Sequence, residues 1–186
     1  MLLPKVLSFV ALVAVVFLAR PAFADDLSYD DPAMHFRAPD GWQRINLGDT
    51  SGNDDAPAAV WVLTANKNQP RSITITISNY QGSLDEFATS HQTSLRTSVG
   101  DNGVVLTDHK DQTKLANGMP VVYFVWTLST DKDAPLKNYE DLFIDGQRSI
   151  AVKFTGYAGD VTDADAAAAL SSLYAVAYPR RRPDSQ

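Results

Sequence analysis

The chain has 186 residues, no cysteine, 22 acidic against 16 basic side chains, and a formal net charge of −6 at pH 7. Without cysteine there can be no disulfide, no thiolate chemistry and no lipid attached through an N-terminal cysteine. The acidic balance is wrong for general nucleic-acid binding, while 45% hydrophobic residues suffice for one packed domain without covalent staples.

Residues 1–24 carry the pattern of a cleavable export signal: Lys5 as the basic start, an uncharged and largely apolar run from Val6 to Ala19, and Ala22-Phe23-Ala24 as the small-x-small cleavage pattern. The run is shorter than the roughly 20 residues a spanning helix needs, and Arg20 and Pro21 close it, which disfavours a membrane anchor. Cleavage after Ala24 is expected, giving an exported protein, periplasmic or extracellular. Residues 25–179 then form a single domain and 180–186 a disordered basic tail.

The elements follow in order. Met34 to Arg37 alternates apolar and polar as a half-buried strand does, and Ala38-Pro39-Asp40-Gly41 is a turn. Trp42 to Leu47 starts a second short strand. Ala58 to Thr64 is apolar on both sides, and Ser72 to Tyr80 puts Ile73, Ile75 and Ile77 on one face, so the two strands are expected to form a hairpin. Ser83-Leu84-Asp85-Glu86 is a capping box that opens a helix with Leu84, Phe87, Ala88, His91 and Leu95 on one stripe and a stop near Gly100.

Val104 to Leu106 begins another strand, and the polar stretch Asp108 to Asn117 is either a bent strand or a loop. Met119 to Leu128 is nearly continuous in β-branched and aromatic residues, which requires cover on both faces and a place in mid-sheet. Asn138–Ile144 and Arg148–Tyr157 flank Asp145-Gly146, a strong hairpin signal; a glycine bulge at Gly146, matching Leu142 with Ile150, suits the pattern better than a two-residue loop. A last helix begins at Thr162 or Asp163, with Asp163 and Asp165 in its first turn, carries Ala166, Leu170, Leu173, Tyr174 and Ala177, and ends at Pro179. The fold class expected is α+β: an α/β/α sandwich with a mainly antiparallel sheet and a helix on each face.

Phe36-x-x-Pro39-x-Gly41-Trp42, Ser83-Leu84-x-Glu86-Phe87, Gly118-Met119-Pro120, Asp145-Gly146 and Leu170-x-x-Leu173, in that order, resemble the PsbP-like superfamily, in particular its bacterial secreted and DcrB-like members. Many bacterial relatives are lipid-anchored through a cysteine that this chain does not have. The resemblance implies an accessory or binding role, not a shared reaction, and carries no catalytic residue over to this sequence.

The chemistry-bearing residues agree with that reading. His35, His91 and His109 lack metal-ligand spacing; His91 is expected as a hydrogen-bonded histidine at the core edge, and His109 as a solvated loop residue. There is no Gly-x-Ser-x-Gly elbow, no Ser-x-x-Lys and no glycine-rich phosphate loop. Asp49, Ser51 and Asn53 begin like a calcium loop, but Asp54 and Val60 stand where glycine and glutamate are required. Trp42, Trp61 and Trp126 are expected in the core rather than as a stacking platform.

No cofactor and no catalytic or metal residue is therefore assigned. Arg180, Arg181 and Arg182 are the candidate interaction residues, able to meet anionic lipid or an acidic partner, with the solubilising tail as the plainer alternative. The function expected is a non-enzymatic exported binding protein with an envelope protein as partner and no nucleic acid; the alternative is a small-ligand carrier or hydrolase whose cleft is built from separated strands.

Overall fold

The computed structural model describes residues 29–31, 34–36, 38, 40–48, 56–63, 71–99, 103–115, 118–130 and 133–177. The export signal, the Asp49–Asp55 loop and the Arg180–Arg182 run lie outside the described residues.

Chain order is β1 (Tyr29–Asp31), β2 (Met34–Phe36), β3 (Gln43–Arg44), β4 (Ala59–Leu63), β5 (Arg71–Asn79), α1 (Leu84–Val99), β6 (Gly103–Lys114), β7 (Pro120–Thr130), β8 (Leu136–Asp145), β9 (Arg148–Tyr157) and α2 (Asp163–Ala177). β1 and β2 pair alone; the other strands form a seven-stranded antiparallel sheet in the order β3-β4-β5-β9-β8-β7-β6. β6 to β9 is a simple meander. β5 closes on β9, so α1 must carry the chain from β5 across β9, β8 and β7 to the far edge. Four inter-strand steps of about 4.8 Å need about 19 Å, and a helix of this length supplies about 24 Å.

Alternation along β7 sorts the core. Val122, Phe124 and Trp126 pack with Leu142, Ala151 and Ala88, and with Leu84, Phe87 and Leu95 of α1. Val121 and Val125 join Ile73, Ile75, Tyr139, Phe143, Val152 and Phe154 with Ala166, Ala169 and Leu170 of α2. The two sets come from opposite parities of the same strands, and are called below the α1 face and the α2 face. Trp61 and Trp126 are buried, and Trp42 packs partly buried beside Phe154.

Both helices begin with a reciprocal cap. Ser83 N–H and Oγ donate to Glu86 Oε2 at 2.8 and 2.9 Å, and Glu86 N–H donates to Ser83 Oγ at 3.3 Å. Thr162 and Asp165 repeat the arrangement at 2.8 to 3.2 Å, which the first-turn acid pattern had suggested only as a dipole effect.

Three expectations need correction. The β8–β9 hairpin has no bulge: Asp145 pairs with Arg148 and Leu142 with Ala151. Gly146 takes φ +63° and Gln147 does not take a positive φ, the pattern of a type II′ two-residue turn, whose twist matches that of the flanking strands. β7 is an interior strand, but it lies one place from the edge; β9 and β8 lie nearer the centre. His109 sits in a strand, not a loop, because Asp108–Lys114 continues β6 past a β-bulge between Thr107 and His109.

Candidate functional site

The α1 face buries a polar row that hydropathy alone would place in solvent. Strand register sets Glu140 opposite Phe124 on one side and Lys153 on the other, and sets Asn138 between Trp126 and Thr155. α1 crosses above this row, leaving Glu140 2% and Lys153 8% exposed. Trp126 Nε1–H donates to Glu140 Oε2 at 3.1 Å, and Thr155 Oγ1 donates to Asn138 Oδ1 at 2.7 Å. Lys153 Nζ stands 5.8 Å from the centre of the Trp126 ring.

His91, on α1, brings Nε2 to 3.1 Å from Glu140 Oε1. Nε2 is itself buried and faces no better-placed acceptor than this carboxylate. Burial pushes the Glu140 carboxyl up, but His91, the Lys153 charge and the Trp126 indole outweigh it and hold it below its ordinary value. Burial pushes Lys153 down, opposed by Glu140. A carboxylate held from several sides anchors α1 to the sheet.

Beside this row a groove between α1 and β6–β7 is lined by Gln92, Leu95, Arg96, Val105, Phe124 and Trp126. It has room for about one water molecule, too little for a small-molecule ligand as it stands.

On the α2 face, Tyr139 Oη donates to Asp163 Oδ1 at 2.8 Å and Arg71 Nη1 to Asp165 Oδ1 at 2.9 Å, while Arg71 Nη2 reaches the Asp160 carbonyl at 3.0 Å. These contacts pin the start of α2 to β8 and β5. Burial, then the charges of Asp141 and Asp163, push the neighbouring Tyr123 up to about 12.

The most exposed part of the sheet is β6. From Leu106 to Lys114 every residue is exposed, and Val104 and Leu106, at 56% and 53%, are the exposed large hydrophobics among the described residues. His109 is exposed on this strand, 4.0 Å from Asp111 and edge-on to Tyr123. His91 lies at the core edge against a buried acid, and His35 lies on β2. His91 and His109 thus lie on opposite faces of the sheet, and no group of three metal-ligating side chains forms among the described residues. No helix of the described residues is long and apolar enough to cross a membrane.

Neither a sequence family nor a curated protein matches the chain. Solved structures do. Cyanobacterial PsbP from Synechocystis superposes with a TM-score of 0.55 at 11% identity, over 85% of this chain and 94% of that one. The Ran-binding protein Mog1p of Saccharomyces cerevisiae gives 0.46 at 14% identity, over 75% and 78%. LpqN, described as involved in cell envelope biogenesis of Mycobacterium tuberculosis, gives 0.46 at 12%, over 87% and 92%. The class is therefore an α+β domain built on a long antiparallel sheet, and the particular fold is the PsbP-like one, a likeness of structure rather than of sequence.

Proposed function

We propose that this is an exported accessory protein that acts by binding a partner protein and carries out no reaction of its own. The observation that carries the reading is the contrast between the two sides of β7. Toward β8 and β9 the ionisable groups are buried in helix-anchoring contacts; toward β6 the sheet exposes a long strand with two large apolar side chains. The PsbP-like fold supports it, since the resemblance implies an accessory role. The groove over Trp126 gives no support to a carrier. The apolar run after Lys5 and the Ala22–Ala24 pattern support export, and Arg180, Arg181 and Arg182 are kept as a secondary contact with an acidic partner.

Crosslinking in the native cell envelope followed by co-purification tests the proposal. A reproducible stoichiometric protein partner is expected, with a mature N-terminus at Asp25. A protein that stays monomeric, captures nothing and turns over an ester, glycoside or phosphoester substrate would overturn it.

A further inference from the structure

We propose that the outer edge of β6 is a docking site for one extended segment of a partner protein, added as an eighth strand, with side chains that alternate in charge: basic toward the α2 face and acidic toward the α1 face. This rests on the partner-binding reading above and adds the chemistry of what is bound.

The direction of the backbone groups comes first. Leu115 N–H donates to the Met119 carbonyl at 2.9 Å, and the register runs on through Thr113↔Val121, Asp111↔Tyr123 and His109↔Val125. Bonded and non-bonded pairs alternate in an antiparallel ladder. The odd-numbered residues from 109 to 115 therefore bond to β7, and the N–H and C=O groups of Lys110, Gln112 and Lys114 point away from the sheet. Pro120, which has no N–H, sits opposite Lys114, which a non-bonded pair accommodates without loss of a ladder bond to β6. Among the described residues the outward Gln112 N–H is met by the Asp111 carboxylate at 2.7 Å, a place that an incoming carbonyl can take.

Strand length is the second observation. Native sheets keep edge strands short or covered. β3, at the other edge, has two residues; β6 has 12, and among the described residues no strand pairs with its outer side. Val104 and Leu106 offer two apolar anchors at its start.

Charge then selects the occupant. Register puts Asp111 with Tyr123 on the α2 face, where the bulged Asp108 also bonds Thr127, and puts Lys110 and Lys114 on the α1 face. A second copy of this chain is a poor fit. A two-fold axis normal to the sheet keeps each face on its own side. Centred on Lys110 or Lys114, it sets a lysine against itself; centred on Asp111, it sets Asp111 against itself; centred on Gln112, it sets Lys110 against Lys114 twice; centred on Thr113, it sets Lys114 against Gln112 and Asp111 against Leu115 and gains no opposite-charge pair. Like charges directly opposite destabilise a strand pair. The same charges attract a foreign strand of opposite alternation, in the mode of β-strand addition.

The test uses the whole exported domain and three blocked synthetic peptides of equal length: lysine alternating with glutamate, lysine alternating with threonine, and glutamate alternating with threonine. Saturable binding of the first, tighter than either control, is expected, with slowed amide exchange at Lys110 and Lys114. Gln112→Pro removes an outward N–H and the exposed Nε2 bond to Asp85 at 2.9 Å but no bond to β7, so it is expected to abolish binding. Gln112→Ala, which loses the Asp85 bond and keeps the N–H, is expected to bind fully at the same melting temperature as Gln112→Pro. Asp111→Lys is expected to weaken the lysine–glutamate peptide by about tenfold and to tighten the glutamate–threonine one.

Equal binding of all three peptides, no saturable binding of the first, or full binding by Gln112→Pro would overturn the proposal. So would dimerisation of the protein that Gln112→Pro removes, since the occupant would then be a second copy. Capture of the envelope partner equally by the wild type and by Gln112→Pro would defeat the edge site while leaving the partner-binding reading standing.

Discussion

His91 Nε2 lies 3.1 Å from Glu140 Oε1, so α1 is tied to the sheet through a carboxylate that is itself almost wholly buried. Glu140 also receives the Trp126 indole and faces Lys153 across the β8–β9 ladder. A single acid thus joins one helix and three strands.

Breaking that junction on one side should be costly. Glu140→Leu removes the buried carboxylate that faces the buried Lys153 charge and is expected to lower stability by about 3–5 kcal/mol. Adding Lys153→Met should recover most of the loss, because two well-packed apolar side chains leave no charge to solvate. Urea denaturation of the single and double variants measures both, and a double variant as unstable as the single one would contradict the account.

Acid should unfold the protein through its carboxylates. Glu140 is held below the ordinary 4.5, Asp165 below 3.8 by the Thr162 backbone and hydroxyl and by Arg71, and Glu86 below 4.5 by Ser83. The unfolded chain therefore takes up protons first as pH falls. The stability these groups contribute is complete above their unfolded values and is lost as pH drops through the folded ones. The melting temperature should hold near neutrality and fall steeply below about pH 4.5, and Glu140→Gln should start lower and fall less steeply.

Tyr123 should ionise late. Its raised value, about 12, means that its contribution to stability is present below the unfolded value of 10.0 and is lost as pH rises through about 12. Ultraviolet titration should show a tyrosinate step near there that Tyr123→Phe removes. Tyr139 should ionise later still, held by burial and by its bond to Asp163.

The helix caps give a simpler measurement. Ser83→Ala and Thr162→Ala each leave first-turn N–H groups without their side-chain acceptor, and each should cost about 1 kcal/mol. The sites are far apart in the chain and share no partner, so the double variant should lose about the sum in denaturant titration.

Local geometry determined what could be read along the chain. Ile73, Ile75 and Ile77 share a face because side chains alternate on a strand, and all three pack in one core. Ser83 and Glu86 close a cap because three residues separate the first turn's donor from its acceptor. Met119–Leu128 needed cover on both sides because neither parity is polar, and each parity does enter a different core.

Which strands meet was decided only by tertiary structure. Closure of β5 on β9 requires α1 to cross the sheet, and that crossing buries Glu140 and Lys153, polar residues whose own neighbourhoods suggest solvent, beneath the helix that carries His91. The same closure leaves β6 outermost and turns a polar stretch that could have been a loop into the exposed edge of the sheet. Periodicity records which side chains share a face, since that depends on one strand's own backbone; pairing partners and edges depend on long-range contacts that leave no mark on local pattern.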